Sequence, residues 1–259
     1  MKKTAYIIIS LMLTALFTAS CKFFSKDRYT YHEFDGIFVY YETKNMDTYR
    51  QLLPEVFEMP DKPLIMAYVI DFYKMDDATE PYLESAVFLL ARYKGKPAWH
   101  CITMPVTSHE ARLGGIFFLG YPKIMGNISL IRENSVYTGI LKLEGKTVMT
   151  IRHDAKNHVI TAREKSMFKG LHGIPSFTIK RGKIFQPKFG NKAGELTLLE
   201  VSDKYPDKLQ IAVGKSAIKM DPDNAKAFSE RLGHVFSLKP ENIILAYYLK
   251  NKVAVRFED

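Results

Sequence analysis

Within GGIFFLGYPKIMGNISLI, Gly114 to Ile131, one side chain is charged at neutral pH: Lys123. A lone ammonium in apolar surroundings costs several kcal/mol unless it finds a partner or gives up its proton. Giving up the proton makes a nucleophile. An ordinary lysine, with a pKa of about 10.4, is neutral in only about 0.04% of molecules at pH 7, and half-neutrality requires about 4–5 kcal/mol of bias against the ammonium. Enclosure by Ile116, Phe117, Phe118, Tyr121, Ile124 and Met125 would supply much of that bias by desolvation. A neutral lysine in such a pocket attacks carbonyl carbons and forms imines. The competing reading is a lysine that snorkels to water from a strand end, its stem lying along apolar surface.

Other constellations carry less. DPDNAKAFSERL starts like a calcium loop but has Lys226 where glycine is needed and Leu232 where glutamate is needed, so helix capping explains it better. His153 and His158 flank a turn-like DAKN and do not make a metal site as a pair. No serine stands in a nucleophile-elbow pattern, and no glycine-rich loop precedes a helix.

The elements that would position Lys123 are mostly strands. GIFVYYET (36–43), PLIMAYVIDFY (63–73) and YLESAVFLLARY (82–93) have strand composition, with KGK as the turn after the last. Asn45 would cap a short helix that Pro54 limits. Gly120 and Pro122 split the Lys123 stretch into two buried strand or loop segments around a bend at 121–123. VYTGILKLEGKTVMTIRHD predicts a hairpin turning at Glu144-Gly145, and GELTLLEVSDKYPDKLQIAVG predicts a strand pair around a polar loop. Helical patterning returns only in DPDNAKAFSERLGHVF, before a last strand, NIILAYYLKNKVAVRF. No internal repeat or linker divides residues 31–259, and the expectation is one α+β domain that is mostly antiparallel β.

The N-terminal stretch reads differently. Lys2 and Lys3, an apolar run from Thr4 to Phe17 and the small residues before Cys21 have the layout of an export signal over residues 1–20. Thr18-Ala19-Ser20-Cys21 resembles the lipobox of bacterial lipoproteins, so Cys21 is the expected lipidation site, residues 21–30 a tether, and the bacterial cell envelope, lipid-anchored or exported, the expected location; simple secretion and a retained membrane anchor are the alternatives. Lipidation would leave Cys101 without a disulfide partner in the chain. Loss of the leader takes the formal charge from +9 to +7, which suits an anionic membrane surface; the scattered basic residues give no nucleic-acid signature.

GYPK at 120–123 resembles the active-site motif of the acetoacetate decarboxylase family, in which a lysine forms a Schiff base with a β-keto acid. MDTYRQLLPEVFEM (46–59), PYLESAVFLL (81–90), PSFTIK (175–180) and DKLQIAVG are similar to other family segments in the same order. The resemblance covers roughly residues 31 to 250. It implies a cone-like antiparallel β-barrel with few short helices, enclosing an apolar pocket, usually in a large homo-oligomer.

Carried onto this chain, the resemblance makes Lys123 the nucleophile and Glu84 a proton-transferring or substrate-orienting carboxylate, with Tyr121 beside the lysine. Tyr68 stands where a further pocket glutamate would be, and Phe118, Ile124 and Met125 complete the expected pocket. No metal or organic cofactor is implied, because the imine is the electron sink. The chain also departs from the family. Ile124 replaces a second lysine, Gly115-Ile116-Phe117 replaces a glycine-arginine-glutamate signature, and the pocket arginine falls at about Asp35. The lysine is kept and the apparatus for recognising an acid is not. The expectation is therefore a Schiff-base lyase acting on a β-keto acid. Aldolase- or dehydratase-type imine chemistry on another keto acid, and a non-catalytic lipoprotein holding a small hydrophobic ligand, are the alternatives.

Overall fold

The computed structural model describes residues 30–75, 80–156, 158–191, 209–252 and 254–258. The expected leader, Cys21, all of the tether but Thr30, and the first strand expected within 194–208 lie outside those residues. The chain order is β1 (Thr30–Glu42), α1 (Met46–Leu52), β2 (Ile65–Met75), β3 (Tyr82–Tyr93), β4 (Lys96–Val106), α2 (His109–Gly114) and a π-helical turn (Gly115–Leu119). There follow β5 (Lys123–Met125), β6 (Asn127–Glu133), β7 (Val136–Leu143), β8 (Lys146–Asp154), α3 (Ala162–His172), β9 (Ser176–Lys180), β10 (Lys183–Phe185) and β11 (Lys188–Asn191). The chain ends with β12 (Leu209–Val213), β13 (Lys215–Met220), α4 (Pro222–Phe228), α5 (Glu230–Ser237), β14 (Asn242–Asn251) and β15 (Val255–Glu258).

The strands form two sheets. An eleven-stranded sheet runs β10-β9-β4-β3-β2-β1-β14-β12, with β5 on β4 and β15 joining β1 to β11. A four-stranded sheet runs β13-β8-β7-β6. Most pairs are antiparallel, as expected; β4 pairs in parallel with β5 and β9. Among the described residues the hydrogen-bonded path stays open and does not close into the ring of a barrel. Tight hairpins at Lys94-Gly95, Glu144-Gly145 and Arg181-Gly182 each place two successive residues at positive φ, the geometry whose twist matches flanking strands.

Alternation along the large sheet separates two cores. Ile37, Val39, Ala67, Val69, Val87 and Leu89 face the small sheet, packing with Leu130, Leu141, Val148 and Ile151 and with Val235 and Phe236 of α5. Phe38, Tyr40, Tyr68, Ile70, Phe88 and Tyr247 face the other way, toward Leu119, Tyr121 and Phe168 of α3. That second face holds the cavity that opens beside Lys123.

Two expectations need correction. The stretch 114–119 is helical, not strand or loop: Ser108 Oγ accepts from Ala111 N at 3.2 Å and starts a helix that continues through the π turn to Gly120. Helical structure also comes before residue 221, in α3, whose capping box of Thr161 and Glu164 supplies the start signal.

His100 on β4 is 7% exposed, packs against the tilted Phe57 ring with centroids 4.7 Å apart, and donates Nδ1–H to the Phe177 carbonyl at 3.1 Å. Desolvation pushes it down from 6.5 to about 4. Between those pH values the unfolded chain binds a proton that the folded chain excludes, so this contribution is complete above about pH 6.5 and is lost as pH falls toward 4. Urea unfolding at pH 7 and pH 4.5 should show the wild type losing about 2–3 kcal/mol more than His100→Gln over that interval. Equal losses would remove His100 as the source.

Candidate functional site

The site is built where the π turn meets the middle of the large sheet. Gly120, at φ +69°, reverses the chain after the turn, and Tyr121 N donates back to the Gly115 carbonyl at 3.1 Å. Lys123 N donates to the Tyr121 carbonyl at 2.8 Å, and the Pro122 carbonyl accepts from Met104 N at 3.2 Å. This docks β5 beside β4 with Lys123 opposite Met104. The carbonyls at the end of the turn are satisfied by neighbours. Thr178 Oγ1 donates to Leu119 at 2.6 Å and Lys180 Nζ to Phe118 at 2.8 Å.

Lys123 projects into the sheet interior, its side chain only 3% exposed. Its Nζ donates to Glu84 Oε2 at 2.7 Å and lies 5.4 Å from the centroid of the Tyr82 ring. Glu84 sits near the start of β3, opposite Ile70 of β2 and Val106 of β4, with its side chain 7% exposed. Tyr68, one step along β2 on the same face, donates its hydroxyl to Glu84 Oε1 at 2.7 Å. The carboxylate is therefore held at both oxygens. Burial raises the Tyr68 and Tyr82 phenols well above their ordinary value, so both remain protonated. The nearby Cys101 thiol is raised by burial as well and stays an un-ionised core group.

A cavity of about 530 Å³ opens from this pair. Its walls are Tyr31, Phe34 and Phe38 of β1, Tyr68, Ile70 and Phe72 of β2, Met104, Leu119, Tyr121, Leu249 and Val255, with His172 and Asn251 as polar contributors. Register shifts on either side of Glu33 put Tyr31 and Phe34 on the same face of β1, as β-bulges do. Among the described residues, the acidic and basic side chains lining this cavity are Lys123, Glu84 and His172, and desolvation holds His172 down to about 4. The other end reaches the surface at Gly173, Pro175 and Phe189.

Of the residues singled out in the sequence, Lys123, Glu84, Tyr68 and Tyr121 line the cavity together. Phe118, Ile124 and Met125 do not. Ile124 instead lines a neighbouring recess of about 610 Å³, which Lys123 and Tyr121 also border together with Lys180, Arg181 and Arg231. Phe118 is carried on the π turn, outside the wall. Met125 follows the short β5 pairing toward Val106 and does not reach the cavity. Asp35, the position matched to a pocket arginine, points to the opposite face of β1. There it accepts from Arg132 Nε at 3.0 Å and from the Tyr248 hydroxyl, while Arg132 Nη2 also reaches Asp71 at 2.7 Å.

Sequence reasoning missed the aromatic wall from β1, the Tyr82 ring and Gly115. Alternation along 31–40, corrected for the bulges, is the signal that would have found the wall. Gly115 has no such local signal. A Cβ built there would lie 2.4 Å from both Cδ and Cε of Lys123, so only glycine leaves room for the lysine stem. Gly115→Ala should displace the amine from Glu84 while the sheets remain intact. A crystal structure of the variant, with circular dichroism to verify folding, tests this; an unmoved Lys123–Glu84 contact would refute it.

The comparisons with known proteins come together on this geometry. A family model described as acetoacetate decarboxylase matches residues 21–259. Acetoacetate decarboxylase from Burkholderia mallei is 30% identical over 116 residues, 44% of each chain, and that from Acidiphilium cryptum is 27% identical over 159 residues, 61% of this chain and 62% of the relative. The chain thus aligns with less than two thirds of the length of these relatives. A solved acetoacetate decarboxylase superposes with a TM-score of 0.66 at 18% identity, covering 91% of this chain and 88% of its own. The Legionella pneumophila enzyme gives 0.63 at 18% identity, covering 90% and 87%. The enduracididine biosynthesis enzyme MppR, complexed with pyruvate, gives 0.61 at 13% identity, covering 88% and 87%. At these identities the structural likeness establishes the α+β fold, and the match of the family model over nearly the whole chain establishes descent: this chain belongs to the acetoacetate decarboxylase family.

Proposed function

We propose that the protein is a Schiff-base lyase that decarboxylates a β-keto acid through an imine on Lys123. The observation that carries this reading is the buried Lys123–Glu84 contact at the head of an apolar cavity. Moving one proton along that 2.7 Å hydrogen bond converts ammonium and carboxylate into amine and carboxylic acid. The amine then attacks the substrate ketone. Glu84 returns its proton to the carbinolamine oxygen, which leaves as water, and a protonated imine remains. The bond to the substrate carboxylate breaks, its electron pair enters the iminium to give an enamine, and carbon dioxide departs. Protonation of the enamine carbon and addition of water release the ketone and restore the amine. Tyr68 holds Glu84 so that Oε2 faces the amine.

A second reading keeps the imine and replaces the loss of carbon dioxide with aldol-type condensation or dehydration. Its support is the absence of a cation other than Lys123 lining the cavity, among the described residues, together with the likeness to MppR bound to pyruvate. Carbon dioxide release separates the two. For location, the export-like N-terminus and Cys21 support a lipid-anchored envelope protein, and radiolabelled palmitate should enter the wild type and not Cys21→Ala.

Borohydride added with a β-keto acid should inactivate the protein and leave a reduced adduct on Lys123, located by peptide mass spectrometry. Lys123→Ala should give no site-specific adduct. Glu84→Gln, which keeps the shape and loses the proton carrier, should slow adduct formation by about 10²–10⁴-fold. Labelling of Lys123 no faster than of surface lysines would defeat the proposal and leave a ligand-holding role.

A further inference from the structure

The cavity is charge-poor and larger than a small keto acid needs, and these two facts together constrain the substrate. Lys123 and Glu84 spend their charges on each other. Among the described residues no arginine and no lysine but Lys123 lines this cavity; Lys180, Arg181 and Arg231 border the neighbouring recess that Lys123 also lines. A substrate carboxylate seated in this cavity therefore has no ionic partner within it once Lys123 is an imine. The walls that remain, among them Phe34, Phe38, Phe72, Ile174, Leu249 and Val255, recognise apolar surface. At about 30 Å³ per water in the liquid, 530 Å³ corresponds to about 18 waters, so a four-carbon acid would leave most of the space wet. The deep end holds the amine, and the far end opens at Gly173, Pro175 and Phe189, which gives an extended group a path outward.

Resting on the imine reading of Lys123, we propose that the substrate is a β-keto acid whose ketone carries a long alkyl or aryl group, seated along the aromatic wall. Burial of that group provides the affinity that an arginine would otherwise provide. It also holds the carboxylate in a site that solvates it poorly, which raises the acid relative to the neutral carbon dioxide and enamine that replace it.

The test is a series of 3-oxo acids given to the purified protein: acetoacetate, 3-oxohexanoate, 3-oxooctanoate, 3-oxodecanoate and benzoylacetate. Carbon dioxide release and borohydride adducts on Lys123 are measured for each. Along the alkyl series kcat/KM should rise about fourfold per methylene, hence about 16-fold for each two-carbon step, before levelling at the mouth. Adducts from acetoacetate with a flat or falling profile would overturn the inference while leaving the imine reading intact. If no acid marks Lys123, the imine reading fails. Calorimetric binding of 2-alkanones then still decides the cavity's preference, with affinity that does not grow with chain length counting against it.

Discussion

A single ion pair, 2.7 Å long and buried at the head of the cavity, sets the terms for the rest of this molecule. Two charges buried together tolerate little displacement, because separating them leaves at least one uncompensated at a cost of about 3–5 kcal/mol. The structure answers that demand from four directions. β3 fixes Glu84, β2 supplies the Tyr68 donor, the pairing of β5 with β4 fixes the lysine backbone, and the π turn brings Gly115 flush against the lysine stem. π turns within helices often occur at functional sites, and here the turn both narrows the space around Lys123 and ends at the left-handed Gly120 that aims it.

The same pair explains the division of the large sheet. One face is occupied by the inter-sheet core, where branched aliphatic residues interlock with the four-stranded sheet. The other is lined by aromatic rings, such as Phe38 stacked on Tyr247 with centroids 5.2 Å apart and Tyr68 5.3 Å from Phe38. Rings that bury their edges against one another leave a firm wall where a flexible aliphatic lining would collapse, and the cavity survives for that reason.

Much of this was legible in the sequence, unevenly. Lys123 stood out because charge is rare in that stretch, and strands such as PLIMAYVIDFY and YLESAVFLLARY were readable from composition. Glu84 was readable only through resemblance, since one carboxylate in an apolar strand could face either way. The enclosure was misread at Phe118 and Met125, which line neither of the two recesses that Lys123 borders, because proximity along the chain stood in for proximity in space; Ile124 lines the second of them. Gly120 and Pro122 suggested two strand or loop segments around a bend, whereas the Ser108 cap and the π turn make a helix of the first. The aromatic wall depends on two register shifts in β1 that alternation alone does not foretell.

Those register shifts bear on how the chain can change over evolutionary time. On the far face of β1, Asp35 is fastened to Arg132 and Tyr248, which ties the strand to the small sheet and to β14. The near face, with Tyr31, Phe34 and Phe38, lines the cavity. One strand thus carries an anchoring side and a selecting side. Substitutions on the selecting side can resize the chamber without loosening the anchor, so new specificities are reachable by single steps that the fold survives.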